Sequence, residues 1–194
     1  SSDVCSSDLE SISGDNYTFV ESQGSQVVMS LSDGMGSGEQ ADRESRQVVE
    51  LTEQLVETGF SARSALKLVN TVLLLAGREQ HPATLDLCCV DLHTGVLECM
   101  KLGAVPTFII GEDGVELLEA GEVPMGVLTA VEPELISKKL WDGSRIIMVS
   151  DGVLELIRRD ADRICVGKRA GEHAVAQHQT NQMLVDLARE GKTV

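Results

Sequence analysis

The chain has 194 residues, a formal net charge of −15 and 42% hydrophobic residues, which is typical of one globular domain or two small ones. The acidic charge argues against a nucleic-acid partner and against contact with an anionic membrane surface, because both need a basic face. It leaves room for a phosphorylated substrate, since bound metal ions can invert the local charge. No apolar run is long enough to span a membrane and no signal peptide is visible, so we expect a soluble domain.

The first ten residues, SSDVCSSDLE, are rich in Ser and Asp. We expect residues 1–10 to be a disordered or non-native leader, translated adapter sequence being one explanation, and the domain itself to occupy residues 11–194. The five cysteines lack a C-x-x-C spacing and the four histidines lack ligand spacing. We therefore expect reduced, buried cysteines, with the adjacent Cys88 and Cys89 pointing to opposite faces of a strand.

The sequence NYTFVESQGSQVVMSLS predicts a β-hairpin with its turn at Gln-Gly-Ser. From Ser37 the apolar residues follow the spacing of a helix. Ser37 with Gln40 resembles a capping box at its start, and Gly59 is a plausible C-cap at its end. A second helix is predicted in SARSALKLVNTVLLLAG. It is apolar nearly all round from Leu66 to Ala76, so we expect it to be deeply packed.

Short β-type runs follow between Ala83 and Ser150, namely ATLDLCCVDL, GVLECMKLG, PTFIIGEDGVELL and SRIIMVS. Their short connections favour antiparallel pairing, because a parallel crossover needs a dozen or more residues. After Gly152 the pattern returns to helix, including HQTNQMLVDLARE near the end. These elements predict an α+β fold with antiparallel sheets layered between helices.

Two apolar runs end in Ser-Asp-Gly, which predicts that Asp33 and Asp151 each lie at the end of a buried strand. A third candidate, Asp15, opens the first strand of the hairpin that ends in Asp33. We expect the two ends of that hairpin to lie about a hairpin's length apart, so this pairing alone does not join Asp15 to Asp33. The alternative is that both corners are ordinary turns.

If the fold gathers these carboxylates, their mutual repulsion is costly unless a cation intervenes. Hard cations prefer oxygen ligands, so such a cluster suits Mg²⁺ or Mn²⁺. Gly34 allows close backbone approach, and its carbonyl could be a further ligand. The glycine-rich GMGSG also suggests a phosphate loop, but it lacks the Gly-Lys-Ser/Thr ending.

Six motifs occur in the order found in one family: SGDNYTF, LSDGMGSGEQADRES, ATLDLCCVDL, MKLGAVPTFI, VPMGVL and IIMVSDGVLE. From about residue 11 to 190 the chain resembles the phosphatase domain of stage II sporulation protein E, a PP2C-type metal-dependent serine/threonine phosphatase. The resemblance implies an antiparallel β-sandwich flanked by α-helices. It also implies a cytoplasmic domain of a protein that is membrane-anchored at full length, with a homodimer possible.

The resemblance implies a role for each candidate residue. Asp33 matches the aspartate that bridges two metal ions, with Gly34 offering its carbonyl. Asp15 matches a ligand of the second metal and Asp151 a ligand of the first. Asp33 and Asp151 are therefore the expected catalytic residues, and a water activated by two Mn²⁺ or Mg²⁺ ions would attack phosphorus directly.

The implied substrate is a phosphoserine on an anti-anti-sigma factor, whose dephosphorylation releases a sporulation sigma factor. The two helices between Ser37 and Gly77 resemble regulatory switch elements, although plain packing helices are an equal alternative. The family pattern closes with an Asp-Asp-Met-Thr strand, which this chain lacks where it reads LAREGKTV. We therefore expect a C-terminally truncated domain, and keep two alternatives: a pseudophosphatase or docking module, and a purely structural α+β domain.

Overall fold

A computed structural model of the chain describes residues 13–22, 25–36, 38–76, 81–112, 114–119 and 123–156. Several predictions concern residues outside these ranges. They are the leader, the capping residue Ser37, the C-terminal helix and the truncation before the final strand. Within the described part, no helix is long and apolar enough to cross a lipid bilayer.

Two helices and eight strands form the described structure. The helices are α1 (Glu39–Glu57) and α2 (Ala62–Ala76). The strands are β1 (Asp15–Ser22), β2 (Gln26–Asp33), β3 (Leu85–Asp91), β4 (Val96–Leu102), β5 (Thr107–Gly111), β6 (Gly114–Leu118), β7 (Leu135–Lys139) and β8 (Arg145–Ile147). Residues 151–156 are also helical.

The strands form two antiparallel sheets, so the α+β prediction is confirmed. The first has the order β1-β2-β3-β4-β7 and the second the order β6-β5-β8. One apolar core joins helices α1 and α2 to the first sheet, and a second core lies between the two sheets. A third packs Leu154, from the helical residues 151–156, against Phe108 of β5. The layers are therefore helix, sheet, sheet, helix.

The cysteine prediction for the strand is confirmed. Cys89 packs in the core under the helices, whereas Cys88 packs in the core between the sheets. Both are free thiols, as is the neighbouring Cys99 on β4. Alternating side chains of one strand thus contribute to two different layers.

Three local expectations were wrong. The N-cap of helix α1 is Gly38, whose φ is 78° and which supplies no side-chain cap, whereas the predicted capping box needs Ser37 at that position. The Gln40 side chain contacts Glu44 and His81. The α2 helix buries one face only, since Leu75 is 81% exposed. Strand β7 (LISKK) was missed because it carries no long apolar run.

Candidate functional site

The open end of the first hairpin brings two of the predicted site residues together. Asp15, the first residue of β1, is the register partner of Asp33, the last residue of β2. The expected separation of a hairpin's length is therefore wrong. In an antiparallel hairpin the beginning of the first strand lies opposite the end of the second, so the distance between them is that between neighbouring strands.

Asp151 reaches the same place from beyond the second sheet: it lies four residues after the end of β8 and is the first of the helical residues 151–156. Asp33 and Asp151 line one cavity of about 140 Å³. Thr84 holds the end of β2 on its other side: its Oγ1 accepts a hydrogen bond from Asp33 N at 2.9 Å, and its own N donates to Asp33 O at 2.9 Å. The backbone of Asp33 is thus fixed while its side chain faces the cavity.

The electrostatics of Asp33 show that the three carboxyl groups interact. Burial raises the pKa of Asp33 from 3.8 to about 7, assisted by the negative charges of Asp15 and Asp151 and by hydrogen bonds with both carboxyl groups. A carboxyl group beside two others resists ionisation unless a positive charge compensates it. The cluster therefore favours either a shared proton or a bound cation.

Gly34 is required by the close approach of helix α1. A Cβ at Gly34 would lie 2.1 Å from the backbone oxygen of Ala41, which no side chain can tolerate. The Gly34 N–H donates to Gly14 O at 3.1 Å, and a Cβ at Gly14 would lie 3.0 Å from the Ala41 Cβ. The close approach predicted at Gly34 is thus present, and the neighbour is the first turn of α1.

Sequence reasoning missed Asn16, which ties β1 to α1 beside the carboxylates. Its Nδ2 donates to Asp42 O at 3.1 Å, to Asp42 Oδ1 at 2.9 Å and to Ser45 Oγ at 2.8 Å. Asn16 and then Arg46 hold the pKa of Asp42 below its ordinary value. The position of Asn16 directly after Asp15 was a usable signal, but its partners lie on another element and cannot be found from spacing.

The donor chemistry of the cluster fits a hard divalent cation. Three carboxylates and the Gly34 carbonyl are oxygen donors, which Mg²⁺ and Mn²⁺ prefer. As placed, however, no group of three or more Asp, Glu, His or Cys side chains in the described residues is arranged to hold a metal ion. The metal-ligand roles of Asp15, Asp33, Gly34 and Asp151 therefore remain proposals.

The sequence profile of the stage II sporulation protein E family matches residues 23–191. The chain belongs to this family. Stage II sporulation protein E of Priestia megaterium is 34% identical over 144 residues, an alignment that covers 74% of this chain and 25% of that protein. The chain thus spans about a quarter of this relative's length.

One solved structure supports the same family, and a second shares the fold. The structure of the PP2C phosphatase domain and a fragment of the regulatory domain of SpoIIE from Bacillus subtilis superposes with a TM-score of 0.70 at 29% identity, covering 87% of this chain and 53% of that one. RsbX in complex with magnesium has a TM-score of 0.66 at 16% identity, covers 90% of this chain and 82% of that one, and shows the fold alone.

A second kind of relative matches a shorter part. Siroheme synthase 1 of Cronobacter sakazakii is 85% identical over 47 residues, which are 24% of this chain and 10% of that enzyme. Five further siroheme synthases match at 44–68% identity, over 24–45% of this chain and 10–19% of those enzymes.

Proposed function

We propose that the chain carries a Mn²⁺- or Mg²⁺-dependent protein-serine/threonine phosphatase domain. The observation that supports this proposal best is that Asp151, which begins a helical segment, meets Asp15 and Asp33 at the open end of the β1–β2 hairpin in a PP2C-type fold. In this proposal Asp33 is the shared ligand, Asp15 and Asp151 are ligands on either side of it, and Gly34 contributes its carbonyl. Membership of the stage II sporulation protein E family and the magnesium complex of RsbX support it.

The protein groups have distinct tasks in this proposal. When bound, a pair of divalent ions would supply a nucleophilic water and neutralise charge on the phosphoryl group. Thr84 and the β1–β2 pairing fix the backbone of Asp33, so its carboxylate keeps one direction. Gly34 admits helix α1 against the strand end, which closes one side of the site.

The proposed substrate is a phosphoserine on a small phosphoprotein, an anti-anti-sigma factor whose dephosphorylation releases a sporulation sigma factor. The family assignment supports this choice. The substrate is tested by release of phosphate from the phosphorylated anti-anti-sigma factor of the same organism. Binding of that phosphoprotein without phosphate release would favour the docking-module alternative.

The metal site is tested with Asp33→Asn and Asp151→Asn against Asp142→Asn, an exposed turn carboxylate outside the cluster. Hydrolysis of p-nitrophenyl phosphate with Mn²⁺ should fall at least about 100-fold in both cluster variants, because even groups behind a ligand typically cost 10–100-fold. Calorimetry should show weaker Mn²⁺ binding in these variants and unchanged binding in Asp142→Asn. Full Mn²⁺-dependent activity in a folded Asp33→Asn protein would refute the proposed site.

A further inference from the structure

A buried ion pair lies beside the carboxylate cluster. Asp86 of β3 and Lys101 of β4 are register partners, and their side chains are 3% and 0% exposed. Asp86 lines the same cavity as Asp33 and Asp151. Burying two charges costs several kcal/mol per ion, and a buried pair is often no more stabilising than apolar residues of similar volume. Stability alone therefore gives little reason for the pair.

Lys101 connects the two sheets at the edge of this cavity. Its ammonium group contacts the Asp86 carboxylate, and it donates to Thr107 Oγ1 at 2.7 Å and to Val105 O at 2.9 Å. The Thr107 hydroxyl also donates to Asp86. All three donor positions of the ammonium are therefore used, each by a different residue.

The bond to Val105 fixes the loop between β4 and β5. Gly103, Ala104 and Val105 line the same cavity as Asp33 and Asp151. The other side of the loop is held as well, since a Cβ at Gly103, whose φ is 66°, would lie 2.9 Å from Pro124. The wall of the cavity is thus clamped between Lys101 and the segment around Pro124.

We propose that Lys101 is a positioning residue for the phosphatase site, holding residues 103–105 at the distance from Asp33 and Asp151 that a phosphoryl group needs. This inference rests on the proposed function. Asp86 serves as the counter-charge that lets Lys101 remain buried, and Thr107 joins the pair to the second sheet.

The test uses the double variant Asp86→Leu/Lys101→Met, which removes both charges together. Its melting temperature should stay close to that of the wild type, because apolar residues of similar volume replace the pair. Its kcat/KM for p-nitrophenyl phosphate should fall about 10–100-fold, with most of the loss in kcat. Hydrogen exchange in residues 103–107 should become faster, while exchange in β1 and β2 stays unchanged.

Wild-type activity with unchanged loop exchange in a stable double variant would overturn the proposal. Thr107→Val, which is nearly isosteric, gives a second test in case the double variant fails to fold. It should lower kcat/KM by a smaller factor, and an unchanged kcat/KM would count against the proposal. The exchange measurement does not depend on turnover. An inactive wild type would thus refute the proposed function while the positioning of the loop is still measured.

A separate observation concerns the origin of the chain's last quarter. The sporulation protein relative is 34% identical over 144 residues, whereas the siroheme synthase is 85% identical over only 47. A short match at much higher identity to a different enzyme is not expected of one domain with one history.

The short match can be placed by elimination. The first five phosphatase motifs run in order from Ser13 to Leu128, and no gap between them is as long as 47 residues, so the segment cannot lie between them. The residues before Ser13 are too few. A segment of this length that reaches the C-terminal end begins at about residue 148, so it includes Asp151 and overlaps the sixth motif and the family profile, which reaches residue 191. The siroheme synthases that match 40–45% of the chain extend further into the phosphatase part at lower identity.

We infer that the chain joins parts of two genes, a stage II sporulation protein E gene up to about residue 147 and a siroheme synthase gene after it, with Asp151 in a stretch that matches both families. The second part is 10% of a siroheme synthase, so it carries no claim to that enzyme's reaction.

Long single-molecule reads of DNA from the source organism test this inference. We expect reads that continue from the codons of IIMVSDG into a phosphatase C-terminal strand, and separate reads in which the later codons continue a siroheme synthase. Reads that cross the junction, together with the tryptic peptide IIMVSDGVLELIR in the organism's proteome, would overturn it. This outcome is independent of any phosphatase assay.

Discussion

Replacing Gly34 by Ala tests the contact between helix α1 and the site. The new Cβ would lie 2.1 Å from the Ala41 backbone oxygen, so strand and helix must separate by roughly 1 Å to reach even a tight contact. A helix carbonyl cannot rotate away as a side chain can. We therefore expect the upper end of the usual overpacking cost, about 3 kcal/mol.

Thermal unfolding measures this cost directly. For a chain of this size 1 kcal/mol lowers the melting temperature by about 2–4 °C, so Gly34→Ala should lose roughly 6–12 °C. Gly111→Ala is the matched control, because a Cβ there meets nothing within 4 Å. It should be neutral or slightly stabilising, since alanine has fewer unfolded conformations to lose.

A double-variant comparison identifies the clashing atom. Gly14→Ala places its Cβ 3.0 Å from the Ala41 Cβ, so Ala41→Gly should relieve it. Ala41→Gly should not rescue Gly34→Ala, whose clash is with a backbone oxygen that glycine retains. A Gly34→Ala protein that melts within about 1 °C of Gly111→Ala would refute the contact.

Three further predictions concern elements around the site. Asn16→Ala should raise the pKa of Asp42 toward its ordinary value, measured by NMR titration, and should lower the melting temperature, because the hydrogen bonds from its amide to Asp42 and Ser45 of α1 are lost. Asn70→Ala should cost about 2–4 kcal/mol in chemical denaturation, because a buried side chain loses its bonds to Leu128 O and Gly126 N and leaves a small void. If α1 and α2 are a switch, hydrogen exchange in residues 39–57 should slow when the phosphoprotein binds; equal exchange with and without it would favour plain packing helices.

The elements that could be predicted are those marked in the sequence by a local spacing of apolar residues and by turn residues at each end. The first hairpin and strands β3 to β6 each carry an apolar run bounded by turn residues. Strand β7 does not, because Leu135, Ser137 and Lys139 are exposed and its pairing with β4 is decided by tertiary contact. The N-cap of α1 was mispredicted for a related reason. Gly38, which has a positive φ and no side chain, precedes the first helical residue.

The residues of the candidate site also fall into those with a local sequence signal and those without one. Asp33 and Asp151 could be identified because each ends an apolar run, and Asp15 follows once the register of an antiparallel hairpin is drawn correctly. Thr84, Asn16 and Lys101 could not, because each acts on a residue of another element and has no spacing signature. Long-range polar partners are the information that only the folded chain supplies.

Helix α1 meets the carboxylate cluster through two contacts of different kinds. One is steric, between Gly34 and the Ala41 backbone, and the other is polar, from Asn16 to Asp42 and Ser45. Gly34 and Asn16 are each the immediate neighbour of a cluster aspartate, Asp33 or Asp15. A shift of the first turn of α1 relative to the hairpin must therefore break the Asn16 bonds or move the strand ends that carry Asp15 and Asp33. We expect regulation of the proposed metal site through α1 to act on these two contacts, and the Asn16 and Gly34 variants distinguish between them.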